Sequence, residues 1–146
     1  MRIRIYFFFL FVFLSYIPVL AQVDTAWVRR YNSLGQASDI AVDGNGNVYI
    51  TGNSATIKYL PNGDTAWVRN NGASGNALVV DDSGNVYVTG NSVTVKYLPN
   101  GDTAWVRSYG VIGNALAVDG SGHVYVTGQS YGSGTSWDYT TIKYAP

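Results

Sequence analysis

A fixed internal period constrains this chain more than any other feature. Asp43, Asp81 and Asp119 lie 38 residues apart, and so do Tyr49, Tyr87 and Tyr125. Around them "DTAWVR" recurs at Asp24, Asp64 and Asp102, followed in the same order by "VD", "VYITG" or "VYVTG", and "TIKY" or "TVKY". Self-similarity of this kind is read before any local pattern, because each copy is one structural unit of an array. The units run 24–63, 64–101 and 102–146. Lys58 to Lys96 is again 38 residues, but Lys96 to Lys143 is 47, so the third unit carries nine extra residues around "SYGSGTSWD". That change of length marks a loop.

Within each unit, four short runs rich in Val, Ile, Tyr, Thr and Trp are bounded by Gly, Asn, Asp or Pro, the pattern of strands between turns. In the second unit they are "ALVVD", "NVYVTG", "TVKYL" and "DTAWVR". Composition agrees: glutamate is absent, and 17 Gly, 12 Tyr and 4 Trp occur among 146 residues. Glu favours helices, whereas aromatics and β-branched residues favour strands. The turns are equally explicit. In "VDDSGNV", Asp81 can accept from its own backbone two residues on, and Gly84 supplies a left-handed position. In "LPNGD", Pro99 sets the first corner of a type I turn and Gly101 takes the left-handed role. No window has a helical period. The expectation is an all-β chain with four antiparallel strands per unit.

A four-stranded unit of about 40 residues, repeated, is the signature of a β-propeller blade. "DTAWVRRYN", "AVDGNGNVYITG" and "DYTTIKYAP" resemble the SBBP-type β-propeller repeat of exported bacterial proteins, and "VDGSGHVYVTG" is also similar to NHL-type repeats. The resemblance covers 24–146. It implies a fold and no reaction, because that family is characterised by its repeat; its members usually carry more repeats than three, along with further domains. It also implies that "ALVVD" is the inner strand of a blade and "DTAWVR" the outer one.

The N-terminal stretch "MRIRIYFFFLFVFLSYIPVLAQ" has two arginines, an apolar run from Ile5 to Leu20, and Val19 and Ala21 in the small-residue positions of a cleavage site before Gln22. Residues 1–21 are therefore expected to be a signal peptide and 22–146 the mature repeat region. The apolar run contains Ser15 and Pro18 and is shorter than the roughly 20 residues that span a bilayer, so no stable membrane span is expected after cleavage. The expected location is outside the cell or in the cell envelope. Without cysteine, the exported chain must be stable without disulfides. Formal charge is zero, and without Arg2 and Arg4 the balance becomes two acidic residues in excess. No basic stripe is present to hold nucleic acid.

The recurring polar residues fit turns better than sites. "DGNGNV" at Asp43 opens like a calcium loop, but Val48 stands where that loop needs Gly and Ser54 where it needs an acid. His123, the single histidine, replaces Asn47 and Asn85 of the other units and is read as a solvated turn residue. Lys58, Lys96 and Lys143, like Arg29, Arg69 and Arg107, are read as exposed-edge charges. Trp27, Trp67 and Trp105, with Tyr59, Tyr97 and Tyr144, are read as packing between blades. Tyr131, Trp137 and Tyr139 occur only in the third unit, where flat rings with polar edges suit contact with a sugar or a peptide. No catalytic, cofactor-binding or metal residue is assigned, and no cofactor is expected.

The functional expectation is a non-catalytic exported scaffold with an unknown protein or glycan ligand. The alternatives are a lectin-like carbohydrate-binding module and, behind it, a lyase or lactonase using a propeller's central opening. Closure poses its own problem. Residues 24–31 form an orphan outer strand, and twelve strands fill three blades only if that strand joins the last one. Propellers have about 4 to 8 blades. The expectation is that two chains pair into a six-bladed ring, or that the chain is a piece of a longer propeller.

Overall fold

The computed structural model describes residues 23–31, 35–70, 74–134 and 136–146. The expected signal peptide at 1–21 lies outside the described residues. Every regular element is a strand: β1 (Ala37–Val42), β2 (Val48–Gly52), β3 (Thr56–Tyr59), β4 (Thr65–Arg69), β5 (Gly75–Val80), β6 (Val86–Tyr97), β7 (Thr103–Val118), β8 (Val124–Tyr131) and β9 (Trp137–Tyr144). They form two antiparallel sheets, one of four strands in the order β1-β2-β3-β4 and one of five in the order β5-β6-β7-β8-β9.

The period of the sequence becomes a period of register. In the first unit Val48 pairs Tyr59, Tyr49 pairs Lys58, Ile50 pairs Ile57 and Thr51 pairs Thr56. In the third, Val124 pairs Tyr144, Tyr125 pairs Lys143, Val126 pairs Ile142 and Thr127 pairs Thr141. Because side chains alternate faces along a strand, this shared register sends equivalent residues to equivalent faces. Threonine hydroxyls mark the same rung in every unit, with Thr51 to Thr56 at 3.0 Å, Thr89 to Thr94 at 3.0 Å and Thr141 to Thr127 at 3.2 Å.

Nine strands among the described residues, against the twelve expected, follow from two fusions and one unpaired segment. With each structural unit counted as three strands and the outer strand that follows them, so that unit one is β1 to β4, β6 runs through both the second and third expected strands of unit two, and β7 runs from the outer strand of unit two into the first strand of unit three. The link "SYGVIGN" in β7 is rich in strand formers, and Ile112 pairs both Asn91 and Gln129, so the ladder continues through it. Residues 24–31, expected as a strand, are in no ladder among the described residues, since a strand needs an edge to pair with. The nine extra residues of unit three are not simply a loop: they lengthen the β8–β9 hairpin by rungs that end at Tyr131 opposite Trp137.

The turns take the expected form. Gly84 has φ of 79° and Gly101 of 87°. The Gly84 amide donates to Asp81 O at 2.9 Å, and the Gly101 amide donates to Leu98 O at 2.8 Å. The core lies between units. Tyr49 and Trp67 of the first sheet pack with Leu78, Val86, Val88, Val95 and Tyr97 of the second. A further cluster joins Tyr87 of unit two to Val124 and Val126 of unit three. A backbone link reinforces the first junction, the Leu78 amide donating to Asp39 Oδ2 at 2.8 Å.

Candidate functional site

The polar residues that recur with the period converge on the turn between the first two strands of each unit. Asp43 closes "VDGNGN": its Oδ1 accepts from the Asn45 and Asn47 amides, each at 2.9 Å. Its Oδ2 accepts from Asn47 Nδ2 at 2.8 Å and from the Tyr49 hydroxyl at 2.9 Å. Asp81 repeats the arrangement with Ser83, Asn85 and Tyr87. In unit three, Asp119 receives the Ser121 and His123 amides and the Tyr125 hydroxyl. His123 Nδ1 lies 3.1 Å from Asp119 Oδ2, where the other units place an asparagine amide. With its proton on Nδ1 the ring donates as the amide does. His123 is therefore a partly buried turn partner and not only a solvated residue.

These bonds set the electrostatics. Burial pushes each carboxyl upward, but the donors from the asparagine or histidine and the tyrosine outweigh it. Asp43 and Asp81 are held below the ordinary carboxylate value, and Asp119 is lowered to about 2. Burial, followed by the bond to the carboxylate, raises the Tyr49 hydroxyl. An anionic turn cap bonded to a protonated phenol is a stable pair across the neutral range. With both oxygens of Asp43 held by the turn's own donors, the segment is built as a hairpin turn.

The exposed-edge expectation fits Arg29, Arg107 and Lys143, which are exposed, whereas Lys58, Lys96 and Arg69 are half-buried. Lys58, Lys96 and Lys143 lie over the rings of Tyr49, Tyr87 and Tyr125 at 5.1, 5.1 and 5.2 Å. Arg29, Arg69 and Arg107 lie over the tryptophans two residues before them. Arg69 Nε also donates to Gly101 O of the next unit at 2.5 Å, and Trp67 Nε1 donates to Pro99 O at 3.1 Å. The signal that separates these roles from a solvated edge is the recurring i, i+2 Trp-Arg pair, which puts both side chains on one face of a strand. The aromatic expectation holds: Trp67 sits between Tyr49 at 6.2 Å and Tyr97 at 6.0 Å, and Trp105 between Tyr87 at 6.2 Å and Tyr144 at 5.9 Å.

Among the described residues, the surfaces open to a ligand include one beside the turns and one at a hairpin tip. Between units one and two, the turns border a polar cleft of about 490 Å³ whose wall includes Asn45, Lys58, Asp82 and Ser83. At the tip of the β8–β9 hairpin, Tyr131 and Trp137 make an edge-to-face pair at 5.7 Å and 89°. Both are exposed, and Tyr139 is fully so. The structure brings Tyr131 and Trp137 together as one platform and leaves Tyr139 apart from their pair.

A family model described as SBBP, a beta-propeller repeat, matches residues 27–56 and 68–92. Both matches start in an outer-strand segment and cross the link into the next unit. No curated protein matches the chain. A solved structure of a Bacteroides caccae protein of unknown function is similar over 70% of this chain and 57% of its own, at 10% identity and a TM-score of 0.33. The chain thus spans less than two thirds of that protein's length.

Proposed function

Since the chain carries SBBP β-propeller repeats at 27–56 and 68–92, we propose that it acts as a non-catalytic, exported interaction scaffold, outside the cell or in its envelope. One observation carries this reading. The polar residues that recur in every unit are joined to one another or to the next unit, as in the Asp81, Asn85 and Tyr87 network and the Arg69 bond to Gly101, so they serve the repeat itself. The side chains that distinguish one unit from another are instead exposed, at the β8–β9 tip. Export rests on the N-terminal pattern of residues 1–21. Mass spectrometry of the exported protein should find Gln22 as its first residue; Met1 there would contradict export by cleavage. Incubation with lactones and acidic polysaccharides tests the non-catalytic reading: no turnover is expected, and turnover above the buffer rate would replace the scaffold with an enzyme.

The edge-to-face Tyr131–Trp137 pair favours a second reading, a carbohydrate-binding module. Exposed rings set edge to face on a paired hairpin offer apolar faces to a sugar. A glycan array with the unmodified protein and Trp137→Ala decides it. Binding lost in the variant supports the lectin-like reading, and no binding by the unmodified protein contradicts it.

A further inference from the structure

The third repeat unit has an open edge that matches a segment at the other end of the molecule. Thr56, Ile57 and Tyr59 are buried on a strand paired with β4, and Thr94, Val95 and Tyr97 on one paired with the start of β7. Their equivalents on β9, Thr141, Ile142 and Tyr144, are exposed or half-buried, and no strand pairs the outer edge of β9 among the described residues. An unpaired edge presents a row of backbone donors and acceptors, a template for another strand.

Residues 24–31 carry the sequence of the missing strand and already hold half of its contacts. Trp27 Nε1 donates to Pro61 O at 3.1 Å and Arg29 Nε donates to Gly63 O at 2.6 Å, reproducing the contacts by which Trp67 and Arg69 of β4 reach Pro99 and Gly101. Arg29 also approaches Asp64 at 3.9 Å, as Arg69 approaches Asp102. The segment is therefore docked on unit one as the outer strand of a preceding unit would be, and it pairs with no strand among the described residues.

The aromatic rows fail at the same two places. Trp67 and Trp105 each stand between two tyrosines, whereas Trp27 meets only Tyr59, at 5.9 Å, among the described residues. Tyr49 and Tyr87 are buried against their tryptophans; Tyr125 is half-buried, with Lys143 above it and no tryptophan beside it among the described residues. One tryptophan and one tyrosine each lack a neighbour that the other supplies.

We propose that segment 24–31 of one copy pairs with β9 of a second copy, and that two copies exchange these segments to close a single ring. The register follows from the finished units, where Thr56 meets Arg69, Ile57 meets Val68, Lys58 meets Trp67 and Tyr59 meets Thr65. Thr141 then meets Arg29, Ile142 meets Val28, Lys143 meets Trp27 and Tyr144 meets Thr25, each pair spanning two copies. The segment sits on unit one, while β9 belongs to unit three, with unit two between them. Two copies contribute six units, within the range of about 4 to 8 that propellers use. A head-to-tail contact that a two-fold axis closes gives a finite dimer. This inference does not depend on what the scaffold binds.

The chain has no cysteine, so a disulfide reports register cleanly. Directly opposed residues have Cβ atoms about 4.5–5.5 Å apart, within small adjustment of disulfide geometry. Val28→Cys/Ile142→Cys should form a covalent dimer on oxidation, and the out-of-register pair Val28→Cys/Thr140→Cys should not. A cross-link within one chain would overturn the second copy as the occupant, and equal cross-linking of both pairs would overturn the register. Light scattering of the unmodified protein makes the claim independent of the variants' folding. Twice the chain mass is expected. A monomer at every concentration, or open-ended polymers, would overturn the exchange.

Discussion

Thr94, Val95 and Tyr97 of the second unit are 3 or 4% exposed, yet Thr141, Ile142 and Tyr144, at the same rungs of the third, are half-buried or exposed. The residue types are nearly the same, and so are the register and the turn chemistry. What differs is the fourth strand, which the start of β7 supplies to β6 and which no strand among the described residues supplies to β9. Burial at these rungs is a property of the completed unit and not of the strand that carries them. The hydrophobic gain is realised only when a neighbour removes the strand's face and edge from water.

The comparison breaks most visibly at the tyrosines. Tyr87→Ala removes a buried ring packed against Trp105 and should destabilise by about 3–5 kcal/mol, whereas Tyr125→Ala in dilute protein should cost about 1 kcal/mol. Equal losses in urea titrations would show that the two units are finished to the same degree. Next in size is Asp81→Ala, which strands four donors and should cost about 2 kcal/mol by the same measurement.

The same carboxylates predict acid sensitivity. Asp43, Asp81 and Asp119 have folded-state values below the ordinary 3.8, so their contribution is complete above that pH and is lost as pH falls, for Asp119 through about 2. Melting temperature should therefore drop between pH 4 and pH 2, and a flat profile would contradict the turn networks. Gly84→Val, at φ of 79°, should cost about 1–2 kcal/mol in a thermal melt. The smallest contrast concerns the lysines: Lys96→Gln should cost about 0.5–1 kcal/mol through its contact with Tyr87, and Lys143→Gln less, because that lysine is exposed.

Much of this was legible in the residues. The spacing of Asp43, Asp81 and Asp119 implied the unit, Gly84 and Gly101 the left-handed turns, and the recurring Trp and Tyr the junctions between units. In sequence the lysines and arginines read as edge charges, because period two places them on a face without saying which ring lies beneath. The fusion of β6 and β7 was hidden for a related reason. "SYGVIGN" carries two glycines that interrupt the strand pattern, yet its Tyr109, Val111 and Ile112 have the side chains to extend a ladder. The excursion around Trp137 reads as a loop in sequence because its glycines and serines obscure the rungs that Tyr131, Tyr139 and Trp137 form with their partners.

Deuterium uptake at the backbone amides of 140–145, followed across protein concentration and set against the equivalent 55–60, tests the open edge most directly. The expected result is uptake that is fast in dilute protein and falls with concentration toward the level of 55–60, as segment 24–31 of a second copy covers β9. Uptake at 140–145 that is the same at every concentration would contradict it.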